Sequence, residues 1–203
     1  DQLAIHRTSP VAAAFLLALD FHKHLSRNLE QGSHAVAAAL LRPIWECGVT
    51  AAWFLYRAEE AYLFRIYANP LDLDHLWRQE ADVPTPQQML EELAELEYVR
   101  EYALNLKQLM AKGGRGKIFH KYTHPTVYQL KRTFVTSQKP TRFDEAELCG
   151  MIDLADMLML ASAAVFQAQT QDHDLNLVIK ERYNEQLSKL PPQEPPLTPW
   201  SPL

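Results

Sequence analysis

The sequence predicts an all-α protein, a bundle of five to six main helices. Three observations carry that expectation. Only 6 of the 203 residues are glycine, and Ala, Leu, Glu and Gln, all good helix formers, are abundant. Apolar residues recur at spacings of three and four along most of the chain, while no run alternates with the period of a strand. A hydrophobic fraction of 47% is enough for a packed core in a chain that suits one domain.

The elements follow in order. Ser9-Pro10 reads as an N-cap and first helical residue. The helix they open should run to about Leu29 and end before Gly32. Ser33 caps a second helix, "HAVAAALLRPIWECGVTAAWFLYRAEEAYLFRIYA", apolar nearly all round as far as Arg57 and therefore central. Pro43 should kink or break it, and Asn69-Pro70 ends it. A short helix is expected near Leu73–Gln79. Thr85-Pro86 opens the next, with Met89, Leu93, Leu96, Val99, Ala103 and Leu106 on one face and Gly113-Gly114 as the stop. A helix is expected after Pro125. Residues 143–171 form a long, mostly buried helix with Asp144 and Glu145 at its positive end. A last amphipathic helix spans about Asp174–Leu190. These elements make one domain over residues 1–190, followed by an extended Pro-rich tail at 191–203.

Composition also excludes. No run reaches the ~18 uninterrupted apolar residues of a membrane span, and the apolar "VAAAFLLALDF" contains Asp20 and lacks a cleavage site. The expectation is a cytoplasmic protein away from membranes. Cys47 and Cys149 lie in apolar surroundings without metal-ligand spacing and are expected to be buried, reduced thiols. The nearly apolar stretches 44–56 and 151–166 offer more surface than a lone small bundle needs, which predicts a homodimer.

The charge distribution is uneven. The chain carries a formal charge of -5, yet Lys112 to Arg142 contains no acid and eight of the 20 basic residues: Lys112, Arg115, Lys117, Lys121, Lys131, Arg132, Lys139 and Arg142. Elsewhere, 12 basic residues face 25 acidic ones, a balance of -13. One positive patch on a negative body is unsuited to coating long duplexes. It suits a single docked phosphate group on a nucleotide or RNA, or an acidic protein partner. Lys117, Lys121, Lys131 and Arg132 are the candidate phosphate ligands. Gly113, Gly114 and Gly116 form neither a P-loop nor a G-x-G-x-x-G unit.

His120 and His124, four apart in this segment, are open to three uses: half of a metal site, a structural bond to backbone or a buried acid, or proton transfer at a phosphodiester. No third ligand lies near them in sequence, so no metal and no cofactor is expected. Arg42 and Glu46, on "LLRPIWE", sit among apolar residues. They read either as an i,i+4 pair holding a kink or as a supporting group that reaches a ligand or orients His124. Asp153 and Asp156 raise the same question, and the more apolar surroundings of Asp153 make it the stronger candidate for a histidine partner.

Two resemblances bear on function. "RPIWE" at 42–46 and "YTH" at 122–124 resemble a family of bacterial helical proteins of unknown function over roughly residues 35–170, which points to His124. Arg115, His120 and Tyr122 resemble the Arg-x4-His-x-Tyr motif of the HEPN superfamily (higher eukaryotes and prokaryotes nucleotide-binding), although Gly116 stands where those proteins usually carry a polar residue. That resemblance implies a small helical bundle, often dimeric, acting as a metal-independent endoribonuclease of toxin–antitoxin or phage-defence systems. It implies Arg115 on the phosphate, His120 as the acid–base group, and Tyr122 as a site modified by an antitoxin partner. The non-catalytic alternative is a helical interaction protein whose basic segment docks an acidic partner.

Overall fold

The computed structural model describes residues 2–59, 63, 83–110, 143, 145–170 and 173–189. Among the described residues there are six helices and no strand: α1 (Gln2–Glu30), α2 (His34–Tyr56), α3 (Pro86–Ala94), α4 (Arg100–Met110), α5 (Glu145–Thr170) and α6 (His173–Lys189). The protein is an all-α bundle. The helices expected at 73–79 and after Pro125, and the Pro-rich tail, lie outside the described residues.

α1 buries a stripe of Val11, Ala18 and Leu25, spaced by sevens, while Leu16, Asp20, Lys23 and Arg27 face outward. The helix begins upstream of Ser9-Pro10, so Pro10 is an interior residue rather than its start. Its ring is buried, and that packing offsets part of the lost backbone hydrogen bond. The C-terminus closes as a Schellman motif. Ser33 N donates to Asn28 O at 2.8 Å and Gly32 N to Leu29 O at 3.0 Å, with Gly32 at φ 73°. A side chain at that φ would be strained, so glycine sets the tight turn that folds α2 back along α1.

α2 is the centre of the bundle and touches α1, α3, α4 and α5. It passes through Pro43 as one element. Leu41 and Ile44, which flank Pro43, are fully buried, and their packing outweighs the ~3 kcal/mol a helical proline costs. It ends at Tyr56, well short of Asn69, where Arg57 and Ala58 both donate to Trp53 O.

Thr85 makes the expected start of α3, a capping box with Gln88 and Pro86 behind it. The single helix expected over 86–111 is instead two. Residues 95–99 form tight turns, with Leu96 N on Leu93 O and Val99 N on Leu96 O, and Arg100 Nε caps Ala94 O at 3.0 Å. The bend lets Leu93 on one helix, Val99 in the turn, and Tyr102 and Leu106 on the other helix all reach the core.

α5 packs against α1, α2 and α6. Glu145 and Glu147 occupy its first turn, where the helix dipole favours them. α2 and α5 are each long and apolar enough to cross a membrane by average hydropathy, and 56% of each such window is buried inside the bundle.

Candidate functional site

α2 carries two charges only, Arg42 and Glu46, in 23 otherwise uncharged residues. Arg42 Nε donates to Glu46 Oε1 at 2.7 Å, and the side chains are 32% and 34% exposed. The spacing of four places both on one helical face. Neither terminal nitrogen of Arg42, nor the second Glu46 oxygen, has a partner among the described residues. The pair is thus half-buried rather than enclosed. It does not mark a break at Pro43, because the helix continues.

α4 runs antiparallel to α2 along the neighbouring face. Tyr102 Oη donates to Gly48 O at 3.2 Å, and one turn later Trp45 Nε1 donates to Leu106 O at 3.3 Å. Continuing to Met110 carries the chain ~6 Å further towards the start of α2. Phe143 is buried, and its ring meets His34, the first residue of α2, edge-on at 5.5 Å. The two ends that flank residues 111–142 are therefore both tied to the first half of α2. Arg42 lies between them, about 12 Å along the helix from His34 and ~5 Å from Trp45.

The candidate residues His124, His120, Arg115, Tyr122, Lys117, Lys121, Lys131 and Arg132 all lie outside the described residues. Of the sequence-derived set, the structure places Arg42, Glu46 and Asp153. Asp153 is half-buried on α5. Asp156 Oδ1 lies 2.8 Å from Nε2 of His22 on α1, and Asp20 Oδ1 lies 3.7 Å from Nε2 of His24. The histidines for which Asp153 is a candidate partner, His120 and His124, lie outside the described residues. No local signal marks His22, because its partner is 134 residues away. Among the described residues no cluster of three or more metal-ligating side chains occurs.

The far end of α2 is locked to α3. Trp53 Nε1 donates to Glu92 Oε2 at 2.7 Å, and Arg57 pairs with Glu95 at 3.0 Å. Cys47, next to Glu46, is buried, and its thiol pKa is pushed up to about 11, first by burial and then by the Glu46 charge. Cys149 is exposed, contrary to expectation. It shares the outer face of α5 with Glu145 and Ile152, both also exposed.

A family model matches residues 15–192, which include every described helix beyond the first turns of α1. The chain belongs to this family of unknown function, DUF6988. No curated protein and no solved structure matches the chain. Membership accords with the resemblance to an uncharacterised helical family that "RPIWE" and "YTH" suggest.

Proposed function

We propose that this member of DUF6988 is a HEPN-like, nucleic-acid-associated protein that binds RNA and cleaves it without a metal. The observation that carries the reading is the acid-free segment Lys112–Arg142, with its Arg115/His120/Tyr122 motif and the following His124, on a chain that is otherwise strongly acidic. That both flanks of the segment are tied to α2 beside Arg42 supports it further.

In this reading a histidine, His120 or His124, takes the proton from a ribose 2′-OH. The 2′-oxygen forms a bond to phosphorus and the bond to the 5′-oxygen breaks. The leaving oxygen receives a proton, giving a 2′,3′-cyclic phosphate and a 5′-hydroxyl end. Arg115 and Lys121 stabilise the charge on the pentacovalent phosphorus, and Lys117, Lys131 and Arg132 hold the strand. Toxin–antitoxin or phage-defence biology, cytoplasmic location, an antitoxin-like partner acting at Tyr122, and a homodimeric assembly follow from the same reading.

The test separates binding from turnover. Lys131→Ala should weaken RNA binding modestly and lower its salt dependence. His120→Ala or His124→Ala should leave binding nearly intact and reduce cleavage about 10²–10⁴-fold, with helical circular dichroism unchanged. EDTA should have no effect. The reading fails if wild-type protein neither binds nor cuts RNA at low salt while both histidine variants lose several degrees of melting temperature. The basic segment would then be a surface for an acidic protein.

A further inference from the structure

We propose that Arg42 is a phosphate-binding fork whose aim is fixed by Glu46. For the owner of the phosphate, an RNA strand, this rests on the reading above; the fork itself rests on the geometry of α2.

Three observations lead there. First, the pair is out of place energetically. Leu41, Ile44 and Trp45 around it are buried, and the other residues of α2 are uncharged. Partly desolvated ion pairs seldom stabilise a fold more than an apolar pair of similar size. Burial alone would favour two apolar side chains at positions 42 and 46.

Second, the bond uses the wrong nitrogen for a purely structural clamp. A carboxylate that grips arginine for stability usually takes two parallel N–H groups from the fork. Here Glu46 takes Nε alone, through one oxygen at 2.7 Å. Nη1 and Nη2 remain without a partner among the described residues, on a side chain that is 32% exposed. A guanidinium held by Nε cannot spin about its last torsion without breaking that bond. Its free edge presents planar donors with the spacing of two phosphate oxygens.

Third, the position fits. Arg42 lies on the half of α2 to which both flanks of the basic segment are tied, through Trp45–Leu106 and His34–Phe143. The ligand chemistry that suits the fork is a pair of phosphate oxygens, and in the RNA reading these belong to a phosphodiester. Arg42 is the binding residue, and Glu46 is a positioning residue that touches no ligand.

The experiment measures anisotropy of a short 5′-labelled single-stranded RNA across a salt series, with a thermal shift in inorganic pyrophosphate as a second readout. Arg42→Met should weaken RNA binding about tenfold or more, as expected for losing a charge-assisted pair of hydrogen bonds. It should lower the slope of log K against log salt by about 0.7. Arg42→Lys should keep the slope and still lose most of the affinity, because the charge remains and the fork does not. Glu46→Gln keeps an acceptor for Nε and should bind as well as wild type or better. Glu46→Ala frees the fork and should bind more weakly. Simple electrostatics would tighten both Glu46 variants alike, and that result overturns the positioning role. The double variant Arg42→Met/Glu46→Leu should melt at or above wild type yet share the binding loss, which separates function from folding.

If wild type binds RNA and Arg42→Met binds it equally well, the fork is refuted and the RNA reading stands. If wild type ignores RNA but is stabilised by pyrophosphate, and Arg42→Met is not, the RNA reading falls and the anion fork stands. No response to either probe overturns both.

Discussion

Gly48 sits where α2, α4 and α5 converge, and replacing it with alanine tests how rigidly α2 is held. The new methyl carbon would lie 2.9 Å from Ser162 Oγ and 3.6 Å from Tyr102 Oη. The first distance is below van der Waals contact. Ser162 is 1% exposed, and its hydroxyl donates back to Leu158 O at 3.0 Å. To make room, Oγ must rotate away and leave a buried hydroxyl unbonded, at a cost of about 1–3 kcal/mol. The alternative is for α2 and α5 to part, which loosens the core. Against this, alanine gains about 1 kcal/mol over glycine in a helix interior. The net for Gly48→Ala is then a destabilisation of about 1 kcal/mol, or ~2–4 °C in melting temperature for a chain of this size.

Ser162→Ala removes the obstacle. The remaining neighbours of the new methyl would be Tyr102 Oη at 3.6 Å and the Cβ of residue 162 at 4.0 Å, both ordinary contacts. In that background Gly48→Ala should stabilise by about 1 kcal/mol, the helix-propensity gain alone. The sign of the substitution therefore reverses, with a coupling near 2 kcal/mol between the two sites, within the range for side chains in contact. Urea titrations of the four proteins, followed by helical ellipticity, measure it. Gly48→Ala with the same effect in both backgrounds would refute the close approach of α2 to α5, and with it the placement of α2 at the centre.

The thiols should separate: a reagent such as dithionitrobenzoate should label one cysteine per native chain, Cys149, and Cys149→Ser should abolish labelling until denaturant is added. Because the Cys47 pKa is raised from 9.0 to about 11, its contribution to stability is full below pH 9. It is lost as pH rises towards 11, since the unfolded thiol ionises first, and Cys47→Ala should flatten that part of a stability–pH profile. His22→Ala and Asp156→Ala should be non-additive, with a coupling of about 1 kcal/mol in a double-mutant cycle on urea denaturation, for a single half-exposed hydrogen bond. Light scattering at micromolar concentration should give the mass of two chains, and a monomer there counts against the homodimer.

Much of the architecture was legible because it is local. The Ala/Leu stripes of α1, α2 and α5 repeat with helical period, and Gly32 and Thr85-Pro86 carry their turn chemistry in the residues themselves. The misplaced boundaries have tertiary causes. Leu93, Leu96, Val99 and Ala103 keep helical spacing across a bend that contains neither glycine nor proline. What bends the chain is the pull of Tyr102 towards Gly48 and of Trp45 towards Leu106, contacts 54 and 61 residues apart in sequence. Pro10 misled in the opposite direction: it lies inside α1 rather than at its start. Surrounding burial carries the helix through it, as it carries α2 through Pro43 without a break.

The candidate site divides along the same line. Arg42 and Glu46 could be found from sequence because two charges in an apolar helix are conspicuous wherever the rest of the chain goes. Their half-burial could not, because it depends on how much of α2 its neighbours leave uncovered. Asp156 shows the limit directly: its bond to His22 joins α5 to α1 across 134 residues, and no local pattern announces it. That His22 takes Asp156 bears on the RNA reading. Oδ1 of Asp156 is engaged by a 2.8 Å bond to His22. Glu46, with one oxygen on Arg42 and the other without a partner among the described residues, is a described carboxylate with a free acceptor on the half of α2 to which both flanks of the histidine-bearing segment are tied. Glu46→Gln, which keeps the bond to Arg42, then distinguishes two roles in one protein. Unchanged cleavage confines Glu46 to aiming the fork, whereas cleavage lost with RNA affinity intact means its charge also supports the catalytic histidine.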